Sequence, residues 1–217
     1  LAINVSNKAL EELKVESGAF NAEYGNAMSG IVNIQIKEGG PNYEGSISYY
    51  SGDYISNDTD IFTNIEDVNI SANRVLEGTL SGPMPIIGKK LTFNVSGKST
   101  QNEGYLYGVR EHKPDDFAYF PASGNWYVEM SGDSSYVAMN PRSNFHGLAK
   151  LTLRVTPTLK ISTQALISQG QWKSYVHSYK YNPDGTYNYN NNNQNYSIKI
   201  NHALNERSFY EANFFQS

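Results

Sequence analysis

Cysteine is absent from the 217 residues. That one absence removes disulfides, zinc–thiolate sites and cysteine nucleophiles together. Positive charge is also short: 17 Lys and Arg stand against 21 Asp and Glu, a net charge of −4. No basic stripe runs along the chain, so nucleic acid has no electrostatic footprint on it. Long apolar runs are missing as well. Nothing approaches the roughly 20 continuous apolar residues of a membrane helix, and mean hydropathy is −0.54. A membrane β-barrel stays open, because only alternate residues of each strand face lipid. Neither an initiator Met nor an export signal opens the chain, and Leu1 starts mid-pattern. An internal fragment of a larger protein is therefore expected.

Catalytic constellations are missing too. Gly97–Lys98–Ser99–Thr100 ends like a phosphate-binding loop, but Thr92 stands where the first glycine belongs and the stretch reads as a strand. His112, His146, His177 and His202 are scattered without ligand-type spacing. His112 with Asp115 and Asp116 reads as a solvated surface cluster before it reads as a cation site. Asp53, Asp58, Asp60, Glu66 and Asp67 lie in a loop, with nothing to pair them for acid–base work. No enzyme, cofactor or metal centre is expected.

What the chain does have is aromatic residues and alternation. Tyr 17, Phe 9 and Trp 2 suit the aromatic girdles of a barrel, and aromatic-rich soluble sandwiches also exist. Glu11–Ser17 and Gly30–Lys37 read as short strands of a small mixed sheet. Gly39, Gly40 and Pro41 end that unit. Long strands are predicted over Tyr43–Tyr54, Val68–Ser81, Lys90–Lys98, Phe145–Val155, Leu159–Trp172, Tyr196–Ala203 and Arg207–Phe215. Gly82–Pro83–Met84–Pro85 should stop the second of these, since proline cannot donate to a ladder. Between the strands, connections run long, short, long, short, long, short. Barrels of the outer membrane show this asymmetry, with short turns at one end and long loops at the other. Lys90, Lys98, Lys150, Arg154, Lys160 and Lys199 all fall on the polar faces. The asparagine-rich run Tyr187–Asn195 is expected to be a polar, mobile part of a loop.

Within the stretch Ala22–Gly40, Glu23, Tyr24, Gly25, Asn26, Ser29, Gly30 and Asn33 form a turn-then-strand pattern. With Gly18, Phe20, Ala27, Val32, Lys37 and Gly39, this string closely resembles the end of the plug domain in TonB-dependent outer-membrane receptors. The resemblance is dense over about the first forty-five residues and looser beyond, where Leu76–Pro85 and Gly104–Gly108 also look like that family's barrel start. It implies a C-terminal part of an α+β plug domain over residues 1–40. Residues 41–217 would be about seven antiparallel strands of an all-β transmembrane barrel of roughly 22 strands. It also implies residence in the bacterial outer membrane, contact with lipid, and energised uptake of a scarce nutrient. The partner TonB would contact a segment upstream of Leu1. The turn Ala22–Gly30 and strand Gly30–Lys37 would anchor the plug, with Glu23 a candidate for a charge paired with a barrel residue.

Tyr105, Tyr107, Trp126, Tyr127, Trp172 and Tyr175 sit in or beside the long connections. They suit stacking on a ligand such as a sugar or siderophore; girdle and loop packing is the commoner role for each one singly. Two other classes stay open: a smaller outer-membrane barrel acting as a pore or adhesin, and a soluble β-rich module that binds glycans.

Overall fold

A computed structural model of the chain describes residues 10–16, 31–122 and 124–217. Two strands come first, β1 (Leu10–Glu16) and β2 (Ile31–Ile36), paired antiparallel. Next come β3 (Glu44–Gly52), β4 (Asn73–Met84) and β5 (Gly88–Asn102). Four short strands follow inside one connection: β6 (Tyr107–Val109), β7 (Ala118–Tyr119), β8 (Tyr127–Val128) and β9 (Tyr136–Ala138). The chain then forms β10 (Arg142–Arg154), β11 (Leu159–Lys173), β12 (Asn188–Asn205) and β13 (Ser208–Gln216).

The seven long strands make one sheet in the order β13-β12-β11-β10-β5-β4-β3, with every neighbouring pair antiparallel. Each strand thus lies beside its predecessor among the seven. Among the described residues the sheet does not close, and β3 and β13 are its two edges. The connections alternate as the sequence pattern predicts: 53–72, 103–141 and 174–187 are long, and 85–87, 155–158 and 206–207 are short.

Register sorts the side chains into two faces, because a strand alternates at period two. In the ladder Ser81–Asn94–Lys150–Gln164–Ser197–Phe215, five of the six residues are polar. The next ladder, Leu80–Val95–Ala149–Ala165–Tyr196, is apolar throughout. Burial runs against hydrophobicity here. Thr92, Asn94, Ser96, Thr152 and Ser162 of the polar face are buried, while Ile47, Leu76, Leu80, Val95, Ile198 and Phe214 of the apolar face are exposed.

Three local expectations need correction. The asparagine run is not a mobile loop: Asn188–Asn195 is the first half of β12, paired residue by residue with Lys173–Leu166 of β11. Its side chains bury nothing, so composition reads as disorder, but a ladder is made by backbone groups that any residue carries. Trp172 and Tyr189 sit opposite each other in that ladder and stack, with ring centroids 5.5 Å apart. Proline does not stop the second strand either, for β4 runs on through Pro83 to Met84. Pairing with β3 has already ended at Ser81, so the missing N–H of Pro83 falls on an unpaired side. That strand also starts later than predicted, at Asn73, because the amide of Asn69 is drawn off to the Asp53 carboxylate at 2.7 Å.

Candidate functional site

Two places on this frame carry more than packing. The first is where the segment after β2 meets the polar face. Asn94 Nδ2 donates to the Lys37 carbonyl at 3.0 Å, and Lys150 Nζ donates to the Ile36 carbonyl at 2.7 Å. Glu38 takes three cations: Arg154 at 2.9 Å, Lys160 at 2.9 Å and Lys150 at 3.9 Å. Burial alone would raise the Glu38 carboxyl. The Lys160 hydrogen bond and the charges of Lys160, Lys150 and Arg154 outweigh it and hold the group below its ordinary value. Gly39 lies flat on the sheet, where a Cβ would overlap the backbone of Phe93 and the Gly82 carbonyl. Beside this contact a cavity of about 660 Å³ opens between the end of β2 and the polar face. Gln35, Glu38, Lys150, Lys160, Gln164 and Lys199 are among its lining residues. Lys199 is itself neutralised by Glu211 at 2.7 Å.

The second place is the end of the sheet that carries the long connections. All three are tied together. Tyr105 of 103–141 packs edge-on against Tyr54 and Phe62 of 53–72, at centroid distances of 5.1 and 5.9 Å. Backbone bonds join 103–141 to 174–187: Val109 donates to Lys180, and both Glu111 and His112 donate to the Tyr181 carbonyl. Arg110 reinforces that seam, since its guanidinium binds Asp184 of one connection and Asp133 of the other. Met139 lies wholly buried beneath.

From this base the β7–β8 hairpin projects. Asp116 holds its root, accepting bonds from the Ser131 hydroxyl and amide and from the Lys113 amide. These donors bring the Asp116 carboxyl down to about 2. Asp133 is likewise brought to about 2, by the hydroxyl and amide of Ser135 and by Arg110. His112 Nδ1 sits 2.7 Å from the Glu129 carbonyl and 3.7 Å from Asp116. The stretch His112–Asp116 thus works as a fastening for the hairpin.

The four aromatic candidates are not brought to one point. Tyr105 is a packing residue between connections. Tyr107 is half-buried in β6, and its hydroxyl is pushed up by burial and by the carboxylates of Glu103, Asp53 and Asp67. Trp172 is paired with Tyr189 in the sheet. Trp126 is the most exposed of the four, near the hairpin turn and packed beside Phe120, 5.3 Å away. Tyr127, in contrast, joins Tyr119 and Phe117 in a three-ring cluster. Phe117 and Tyr119 escape a reading of single residues. Their signal is the alternation Phe117–Ala118–Tyr119 set against Trp126–Tyr127–Val128 across a turn with Gly124 at φ 82°.

Glu23, Tyr24, Gly25, Asn26, Ser29 and Gly30 lie outside the described residues. Asn33 is in β2, its backbone opposite Lys14. Glu38 is the residue that sequence reasoning missed. A lone Glu before two glycines carries no pattern, and its partners are 116 and 122 residues away. Compared with known proteins, the chain matches no family model, no curated protein and no solved structure.

Proposed function

We propose that this chain is part of a TonB-dependent outer-membrane receptor. In this reading the seven-stranded sheet is a portion of a transmembrane barrel, and β1–β2 with residues 37–40 is the end of its plug. The observation that carries the reading is the inverted sheet, with isoleucine, leucine, valine and phenylalanine exposed on one face and threonine, asparagine and serine covered on the other. In water such a face costs free energy and invites aggregation; against hydrocarbon it is the favourable arrangement. The alternation of short and long connections supports the same orientation, with the long ones gathered at the outer surface. Glu38 and its three cations then hold the plug's exit to the barrel wall on the wet side, where charge is tolerated. Function follows as energised uptake of a nutrient through the plugged barrel, driven by TonB pulling on a segment upstream.

The absence of cysteine makes the test clean. The protein with its native flanks is reconstituted in vesicles, with single cysteines at Leu151, Ile161 and Ile198 or at Ser168, Ser197 and Lys199, polar-face positions that are not buried. Labels on the first three are expected to be quenched by brominated lipid, and the second three to react with a water-soluble maleimide. A monodisperse fold in detergent-free buffer, with Leu151 and Ile198 open to water, overturns the membrane assignment. Uptake that persists after collapse of the proton-motive force overturns the energised part alone.

A further inference from the structure

We propose that the β7–β8 hairpin is a stacking platform for a neutral saccharide, presented above the sheet by the fused long connections. Three rings make the platform. Tyr119 and Tyr127 face each other across the hairpin with centroids 5.2 Å apart, and Phe117 lies 6.1 Å from Tyr119 and 5.9 Å from Tyr127. Their planes differ by only 20 to 39°, so the rings are offset and stacked against one another instead of meeting edge-to-face. Close to half of each residue stays exposed. A half-open aromatic cluster of this kind leaves ring surface for a sugar, whose ring faces present C–H groups to the negative aromatic face.

Charge decides among ligands that could lie on such a cluster. The connection 103–141 carries Glu103, Glu111, Asp115, Asp116, Glu129 and Asp133 against Arg110 and Lys113. Arg110 is already neutralised by Asp133 and Asp184. The surroundings therefore repel phosphates, carboxylates and other anions. A purely apolar ligand would strip water from Asp115, two residues before Phe117, which makes no hydrogen bond or ion pair with any described residue. An uncharged ligand with an apolar face and a hydroxylated edge satisfies both conditions, because its hydroxyls donate to a free carboxylate while its faces stack. The fastening at Asp116, Ser131 and His112 holds the rings in place beforehand, which lowers the ordering cost of binding. The proposal names the substrate class for the receptor reading, but the binding itself does not require a membrane.

The experiment is an array of neutral oligosaccharides, from di- to heptasaccharides of glucose, galactose, mannose, xylose and N-acetylglucosamine, with polygalacturonate as the anionic control. The protein with its native flanks is applied in detergent, and each hit is titrated calorimetrically. At least one neutral series is expected to bind and polygalacturonate not to. Tyr119→Ala and Tyr127→Ala should each weaken binding about tenfold, the order expected for one ring contact, and Tyr127→Phe should retain it. Near-UV circular dichroism checks that the variants keep the loop cluster folded. No binding to any neutral series overturns the proposal, as does binding that survives both alanine variants. Saccharide binding by a protein that fails to insert in vesicles would leave this inference standing and remove the receptor reading.

Discussion

The two faces of the seven-stranded sheet differ in a way that ordinary globular packing does not produce. Thr152 on one face has no exposed surface, and Ile47 on the other keeps 78 % of its own. The side chains of the covered face would lose most by drying out. The chain itself supplies partners for part of that face, since Asn94 and Lys150 bond the backbone of Ile36 and Lys37 and Glu38 collects three cations, while the hydroxyls of Thr92 and Thr152 are buried without one. The apolar face has no such partner among the described residues. Burial in this molecule therefore reports where the N-terminal segment lies and says little about where hydrophobic drive points.

The contrast breaks most sharply if a charge is moved from one face to the other. With the apolar face in hydrocarbon, Leu151→Arg should cost about 2–4 kcal/mol, and Ser168→Arg on the polar face should stay within about 1 kcal/mol. Denaturant unfolding of vesicle-reconstituted protein reads both, and equal costs would mean that the two faces see the same solvent. A smaller effect is expected from removing the partner that covers the polar face. Glu38→Ala leaves Lys150, the least exposed of the three cations, without its carboxylate. The expected loss is about 1–3 kcal/mol, and a double-mutant cycle with Lys160→Ala should show that most of it is shared between the two residues. Independent effects would reduce the cluster to a surface contact.

Acid should sharpen the comparison with the smallest effect of the three. The Glu38 carboxyl is held below its ordinary 4.5, so its contribution is complete above that value and is lost as pH falls through the lowered one. Wild type should therefore destabilise more steeply below pH 4.5 than Glu38→Ala does, and parallel profiles would remove Glu38 as a titrating tie. The hairpin fastenings follow the same sign further down. Asp116 and Asp133, brought from 3.8 to about 2, should keep the loop cluster's near-UV signal until pH drops between those values.

Much of the sheet was legible because it is written locally. Alternation in Lys90–Lys98 and in Phe145–Val155 places Leu91, Phe93 and Val95, then Ala149, Leu151 and Leu153, on one face, and the observed register keeps them there. The same reading of alternation places Lys90, Lys98, Lys150, Arg154, Lys160 and Lys199 on the polar side, while Arg74 and Lys173 fall on the other. It misjudged Asn188–Asn195, because a partner strand supplies the ladder that the residues' own composition hides. Tyr105 and Tyr107 both lie in the long-connection cluster, as parts of its base.

What the sequence determined by itself was the period-two pattern, the antiparallel succession of strands through short turns and long loops, and the polarity of each face. All of these depend on residues a few positions apart. Only the tertiary structure decided which face is covered, that Glu38 meets cations more than a hundred residues away, and that three separate loops fuse beneath one aromatic hairpin. Those outcomes depend on long-range backbone and charge pairing, which leaves no periodic trace in the chain.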